Sequence, residues 1–269
     1  MIEFNNIKKS FGDKSVLNDV SHVMETGMCN LIIGTSGSGK TVLQKCLVGL
    51  FEPDEGEIRY DGRSFTEMNN EERKNLRQQI GMLFQGSALF DSMTVEQNIM
   101  FPLDMFTTQH FSEKLKRVNE VLDRVNLKDV NHKYPAELSG GMKKRVGIAR
   151  AIVLNPRYLF CDEPNSGLDP QTSMVIDKLI LDITKEFNMT TVINTHDMNS
   201  VMEIGENILY LYDGQKEWSG NNQEIIFSKN DRLNGFIFAS EFLQDAKDMR
   251  MLEARGKIAD DRDMDEMLK

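Results

Sequence analysis

This 269-residue sequence has little cysteine, proline or tryptophan, and it has no excess of positive charge. The three cysteines, Cys29, Cys46 and Cys161, are scattered and have no metal-ligand spacing, which argues against a disulfide framework and a zinc site. We expect them to be buried free thiols, because each lies among apolar neighbours. The net charge of −10 opposes a nucleic-acid-binding surface, so we expect no nucleic-acid partner.

Long apolar runs are also missing. No stretch approaches the roughly 18 apolar residues that a membrane span requires, and the N-terminus lacks the apolar core of a signal peptide. We therefore expect a cytoplasmic chain whose membrane contact is made through a partner. Hydrophobic residues make up 40% of the chain and charged residues 28%. These proportions are typical of a globular protein with one large domain or two modest ones.

The residue pattern predicts strands that alternate with helices. Two alternating segments at the start, IEFNNIKKSFG and VLNDVSHVM, indicate short strands. The compact apolar runs MCNLIIG, RYLFCDEP and TTVINTHD are typical of buried strands in a parallel sheet. Residues from about 93 to 151 are expected to be mostly helical. The sequence therefore predicts an α/β chain with a mostly parallel sheet, whose ligand lies at the carboxyl ends of the strands.

A glycine-rich segment, GTSGSGKT at residues 34–41, lies between a predicted strand and a predicted helix. Two glycines five residues apart, followed by Lys and Thr, are typical of a phosphate-binding loop. Its N–H groups and the dipole of a helix that begins near Lys40 favour a bound phosphate. We expect Lys40 to contact the β- and γ-phosphates of ATP and Thr41 to bind Mg²⁺. The predicted nucleotide contacts in this loop are Gly34, Thr35, Ser36, Gly37, Ser38, Gly39, Lys40 and Thr41.

Further motifs follow in a fixed order. They are LFQ ending at Gln85, LSGGM at residues 138–142, YLFCDEP at 158–164, SGLD at 166–169 and His196 in NTHD. With the loop, this set resembles the ATP-binding-cassette ATPases, the nucleotide-binding subunits of ABC transporters, over about residues 2–225. The resemblance implies a P-loop NTPase (RecA-like) core with a mostly parallel sheet. An N-terminal antiparallel β subdomain and a helical subdomain at about residues 86–151 would complete it.

The domain boundaries follow from the same resemblance. Residues 1–235 would form the nucleotide-binding domain. Residues 236–269 would form a C-terminal helix and acidic tail, either mobile or docked on a partner.

The resemblance also implies individual roles. Asp162, which ends an apolar strand, would hold Mg²⁺, and Glu163 would be the general base that polarises the attacking water. His196 would contact the γ-phosphate. Gln85 would sense Mg²⁺ and link the nucleotide state to a membrane partner. Phe11, which precedes a glycine in a turn, would stack on adenine.

Ser139, Gly140 and Gly141 open a predicted helix, whose bare N–H groups favour an anion. The resemblance implies that they bind the γ-phosphate held by a second copy of the chain, in a head-to-tail dimer with two ATP molecules. Met142 replaces the glutamine of many cassettes, at a position expected to lie beyond the phosphate contacts.

Within the family, residues 86–103 and LSGGMKKR are similar to the Mla/Mce-type phospholipid-transport ATPases. That similarity implies an integral-membrane permease, lipid-binding proteins and a small regulator as partners, at the cytoplasmic face of the inner membrane. Asn165 and Gln97 differ from the residues most common at these motif positions in the family. We interpret both as changes that leave the reacting groups intact.

Three alternatives remain. One is another transported cargo, and another is a soluble ATPase of translation or DNA repair. The third, a catalytically dead binding module, is disfavoured because Glu163 and His196 are both present.

Overall fold

The computed structural model describes residues 1–239 together with residues 244, 245, 247, 249 and 251. Its strands are β1 (Ile2–Phe11), β2 (Lys14–Met24), β3 (Cys29–Ile33), β4 (Glu55–Tyr60), β5 (Arg63–Ser64), β6 (Ile80–Leu83), β7 (Tyr158–Asp162), β8 (Thr190–Thr195), β9 (Asn207–Tyr212) and β10 (Gln215–Gly220). Its α-helices are α1 (Lys40–Leu47), α2 (Asn70–Arg77), α3 (Val95–Phe106), α4 (Phe111–Arg124), α5 (Gly140–Ile152), α6 (Pro170–Glu186), α7 (Met198–Ile204) and α8 (Asp231–Ile237). In these residues, no helix is both long and apolar enough to cross a membrane.

The central sheet has the strand order β10-β9-β3-β8-β7-β6. Neighbouring strands from β9 to β6 are parallel, and only the pairing of β10 with β9 is antiparallel. The predicted mostly parallel sheet is therefore confirmed. Because β3, β8 and β7 are neighbours, the loops that follow their carboxyl ends meet at one edge.

A second sheet, of order β2-β1-β4-β5, is antiparallel throughout. It corresponds to the predicted N-terminal antiparallel β subdomain, which is confirmed as part of the fold. A main-chain contact joins β2 to the central sheet, where the N–H of Asn18 donates to the carbonyl of Gly214 at 2.8 Å.

The buried strands of the central sheet divide their side chains between two hydrophobic cores. Ile32 and Phe160 face one core with α1 and the antiparallel sheet, while Leu31 and Leu159 face the other with α3 to α6. This alternation follows from the two-residue period of a strand. Burial on both faces explains why most residues of β3 and β7 are apolar in the sequence.

Helices α3, α4 and α5 fall in the segment that was expected to be mostly helical. Most of the apolar side chains that they bury join the core on the helical face of the central sheet. The assignment of residues 86–151 to a separate helical subdomain stays a proposal.

The C-terminal segment is described only in part. Helix α8 continues two residues past the predicted boundary at residue 235, and it buries Leu233 and Ile237. The predicted acidic tail lies largely outside the described residues.

All three cysteines are free and buried, as predicted. Burial raises the pKa of Cys46 to about 11 and that of Cys29 to about 12. It raises the pKa of Cys161 further still. Their thiols are therefore uncharged and shielded at neutral pH.

Candidate nucleotide site

The phosphate loop, residues 34–41, joins β3 to α1, and the helix begins at Lys40 as predicted. Gly39 has a φ of 104°, and a Cβ there would lie 2.8 Å from Leu17 Cδ2 and 3.0 Å from the Val16 carbonyl oxygen. Only glycine fits where β2 packs this closely against the loop. The side chains of Thr35, Ser36 and Thr41 are exposed, whereas Ser38 is buried.

Lys40 is held inside the loop. Its ammonium donates to the carbonyl oxygens of Gly34 at 2.7 Å and Thr35 at 3.0 Å. Burial lowers the pKa of Lys40, and the negative charges of Glu163 and Asp162 oppose that shift. The loop cation and these two carboxylates therefore lie close enough to interact, at the edge predicted for the ligand.

Glu163 follows β7 and has a left-handed backbone, with a φ of 48°. For a residue with a Cβ, this conformation costs about 1–2 kcal/mol. Its N–H donates to the carbonyl of Asn194 on β8 at 3.0 Å. This hydrogen bond to β8 therefore holds Glu163 in its left-handed conformation at the end of β7.

Glu163 and His196 are in direct contact. The Nδ1 atom of His196 lies 2.8 Å from the Glu163 carboxylate. The His196 side chain is 66% exposed, while that of Glu163 is 16% exposed. A shielded carboxylate can accept a proton, and an exposed imidazole can donate a hydrogen bond to a ligand.

Two buried amides lie behind Asp162, and the sequence analysis did not identify them. The Asn194 amide donates to Asp162 Oδ1 at 3.2 Å and also to the side-chain oxygen of Gln44 on α1. Both residues are buried. A polar residue at a core position of a strand or helix is the signal that would have indicated them. They fix the orientation of the Asp162 carboxylate.

Gln85 lies beside the segment that follows Glu163. Its side-chain amide donates to Ser166 Oγ at 3.2 Å, and its carbonyl accepts from the ammonium of Lys144 on α5. Lys144, which is buried, was also missed by the sequence analysis. Its spacing from Gly141 and Gly147 places it on the buried face of α5, and a lysine on such a face was the available signal.

Ser139 caps α5, and its Oγ accepts the N–H of Met142 at 3.3 Å. Ser139 and Gly140 are exposed, and the helix start packs on the first turn of α6. A Cβ at Gly141 would lie 2.6 Å from Thr172 Cγ2. The first residue of α5 therefore faces solvent, although Ser139 itself caps one of the helix N–H groups.

Phe11 ends β1 and is 46% exposed. Its ring packs edge-on against Phe51 at a centroid distance of 5.3 Å, and the ammonium of Lys9 lies 5.5 Å from its centroid. An exposed aromatic face held by a second ring is suited to stacking.

Two of the sequence departures, Gln97 and Asn165, have a structural explanation. Gln97 completes a capping box with Thr94, at the start of α3. Asn165 is buried, and its amide donates to Asp177 at 2.8 Å and Ser200 at 2.9 Å. Asn165 therefore connects the segment after Glu163 to α6 and α7, a role that the sequence analysis did not foresee.

The family model for ABC transporters matches residues 17–166. The chain is similar to the methionine import ATP-binding protein MetN of Campylobacter jejuni, with 38% identity over 90% of this chain and 77% of that protein. It is also similar to the probable ribonucleotide transport ATP-binding protein mkl of Mycobacterium bovis, with 37% identity over 88% of this chain and 66% of that protein.

Two solved structures share the fold. The ATP-binding cassette MJ0796, in a dimeric post-hydrolysis state bound to ADP and Pi, has 31% identity and a TM-score of 0.74, covering 82% of this chain and 99% of that one. CbiO1 of Clostridium perfringens has 29% identity and a TM-score of 0.78, covering 87% and 94%. On this evidence the chain belongs to the ABC transporter family, as one of its ATP-binding, ATP-hydrolysing subunits.

Proposed function

We propose that the edge formed by the phosphate loop, β7 and β8 is where this subunit hydrolyses ATP. The contact between Glu163 and His196 beside the loop carries the proposal. Glu163 takes the proton of the attacking water, and His196 orients the γ-phosphate. The remaining loop residues bind the phosphates through their N–H groups, with Lys40 as the cation.

Mg²⁺ fits the oxygen donors present here. The Thr41 hydroxyl, the Asp162 carboxylate and the Gln85 amide oxygen are the hard ligands that this ion prefers. Asn194 orients the carboxylate among them. When bound, the ion neutralises charge on the phosphates.

The adenine would stack on Phe11. The ring is exposed, and its contact with Phe51 restricts its motion, so it offers a preformed face. Such stacking needs only the π face of the ring.

The unit that hydrolyses ATP would be a dimer of two copies of this chain. Ser139 and Gly140 are exposed and Gly141 follows them in the helix N-terminus, which would complete the phosphate site of the partner copy. The dimeric form of the related cassette MJ0796 supports this arrangement.

An apolar groove beside Gln85 would receive a cytoplasmic segment of an integral-membrane permease. The rings of Phe84, Phe90, Phe101 and Phe106 line it. Three of these rings, Phe84, Phe90 and Phe106, are each more than 40% exposed, which is costly for a surface without a partner. The chain would then work as a peripheral subunit at the cytoplasmic face of the inner membrane.

For the cargo we propose phospholipid, with lipid-binding proteins and a small regulator as further partners. The support is the similarity of residues 86–103 and LSGGMKKR to the Mla/Mce-type ATPases. Methionine is the second candidate, because the MetN relative is 38% identical over 90% of this chain.

The test is purification of the tagged chain from detergent-solubilised membranes, followed by identification of the bound permease and its lipids. The complex is then reconstituted, and its ATPase rate is measured with added phospholipid or L-methionine. We expect the ATPase rate of the complex to depend on phospholipid. The variant Phe106→Glu, which changes the groove, should no longer co-purify with the permease. Stimulation by methionine alone would refute the lipid proposal.

A further inference from the structure

Lys144 is a buried cation in the second turn of α5, with a relative exposure of 4%. Its ammonium donates to the Gln85 carbonyl and, at 3.3 Å, to the Glu163 carbonyl. Both acceptors are main-chain oxygens, and burial lowers the pKa of the lysine. A buried ammonium is costly unless its donors are used, so these two contacts fix its position.

The two carbonyls belong to different parts of the site. Gln85 lies in the loop after β6, next to the groove residue Phe84, and Glu163 is the proposed base. The lysine itself lies on the helix that begins beside Ser139. One ammonium therefore connects three parts of the site. They are the loop that contains Gln85, the residue that follows β7, and α5, the helix proposed to face the second copy.

A second cation of α5 holds the same loop. Arg150 donates to the carbonyls of Ser87 at 2.6 Å and Ala88 at 2.8 Å, and both residues have positive φ values, of 62° and 45°. The strained loop thus depends on α5 for its shape. A shift of α5 would move this loop and Glu163 together, because Lys144 contacts both.

The backbone of Glu163 is strained as well. Its carbonyl accepts from the Ser166 N–H at 3.2 Å in addition to Lys144, and its own N–H is held by Asn194. Asn194 and Ser166 tie Glu163 to the central sheet and to its own turn. Lys144 is the contact that comes from the helical side.

We propose that Lys144 is a positioning residue that couples the groove to hydrolysis. Its ammonium binds the carbonyls of Gln85 and Glu163 at the same time. The orientation of the Glu163 carboxylate therefore depends on the positions of α5 and of the loop that contains Gln85. This inference rests on the proposed function, since it gives Glu163 the role of base.

The test compares three substitutions at Lys144 in the purified chain and in its permease complex. Lys144→Met keeps an unbranched side chain one atom shorter and removes the donors of the ammonium. We expect its kcat to fall about 10-fold or more, because a small misplacement of a catalytic group has effects of this size. The KM and the Kd for ATP should stay within about twofold of the parent. In the complex, permease stimulation of the rate should fall as well.

Lys144→Arg keeps a cation, and it should recover a large part of the lost kcat. Lys144→Gln, which reaches one carbonyl at most, should fall between Met and Arg. The control is Lys116→Gln, at an exposed lysine of α4, and it should match the parent. Thermal unfolding of every variant shows whether it is folded.

A Lys144→Met variant with parental kcat and parental stimulation would overturn the proposal. A Kd for ATP that rises in step with the loss of kcat would also overturn it, as would failure of all three variants to fold, because the lysine would then serve binding or folding alone. Failure of the proposed function is distinguishable: the parent chain itself would not hydrolyse ATP, or Glu163→Gln would leave its rate unchanged.

Discussion

At the scale of single residues, the site depends on side chains that hold other side chains. The Glu163 carboxylate contacts His196, and the Asp162 carboxylate accepts from Asn194. The Asp162 contact joins the end of β7 to β8. The Glu163 contact joins the residue after β7 to the residue after β8. The two carboxylates are adjacent in the chain but have different partners, which suits one to metal binding and the other to proton transfer.

The first prediction concerns Glu163→Gln. The amide keeps the size of the side chain but cannot take the proton of water, so we expect turnover to fall by about 100-fold or more. ATP binding should remain within about twofold of the parent, because the phosphate loop is untouched. Steady-state hydrolysis and nucleotide titration measure the two quantities. Hydrolysis near the parental rate would show that Glu163 is not the base.

The second prediction concerns the buried Asp177. Burial raises its pKa from 3.8 to about 6, although Ser200 and Asn165 both donate to the carboxylate. Since the folded state favours the neutral acid, the stability from this group is present below about pH 4 and is lost as the pH rises through 6. Between pH 5 and pH 8 the parent should therefore lose about 1 kcal/mol more unfolding free energy than Asp177→Asn.

Urea unfolding at both pH values measures this difference. Asp182→Asn, at an exposed position of the same helix, is the control. If both variants follow the same pH dependence as the parent, the buried carboxyl does not titrate in this range.

At the scale of elements, one side chain of α3 organises the loop before that helix. The buried amide of Asn98 donates to the carbonyls of Phe90, Met93 and Thr94 at 3.0–3.1 Å. Its oxygen accepts the Phe90 N–H at 2.8 Å. The groove phenylalanine Phe90 is thus held in place from within α3.

The third prediction follows from these bonds. Asn98→Ala removes the side-chain partner of the Phe90 N–H and of the Met93 carbonyl, and it should lower the free energy of unfolding by about 2–4 kcal/mol. The control Gln97→Ala removes an exposed amide of the same helix and should cost about 0.5–1 kcal/mol through the lost cap. Urea denaturation compares them. Equal losses would contradict the dominance of the Asn98 bonds.

The strands, the phosphate loop and the start of α1 could be predicted from the sequence, because their signals are local. A mostly apolar segment such as β3, followed by a glycine-rich segment, predicts a strand and a phosphate loop without reference to the rest of the chain. The contacts of Lys144, Asn194 and Asn165 could not be predicted, because each joins segments that are distant in the chain. A polar residue at a buried position indicates that a partner exists, but the sequence does not show which one.

At the scale of the whole molecule, the composite site should need two copies. The fourth prediction is that Ser139→Arg abolishes most hydrolysis, by about 10-fold or more, because a large cation at the start of α5 blocks the partner's phosphate. Binding of ATP by the isolated monomer should be unchanged. Size-exclusion chromatography in the Glu163→Gln background should show loss of the ATP-dependent dimer.

Ser112→Arg, at an exposed serine of α4, is the matched control and should retain the dimer. Unchanged hydrolysis by Ser139→Arg would rule out the head-to-tail arrangement. A dimer that persists without hydrolysis would place Ser139 in catalysis but outside the interface.

The burial of Cys29, Cys46 and Cys161 makes selective labelling of this ATPase subunit possible. Their raised pKa values and their lack of exposure should leave them inert to maleimides at neutral pH. A single cysteine introduced at an exposed position, such as Met105→Cys, would then carry a fluorophore selectively. Distance changes between two labelled copies during an ATP cycle become measurable in the native background, with every original thiol left in place.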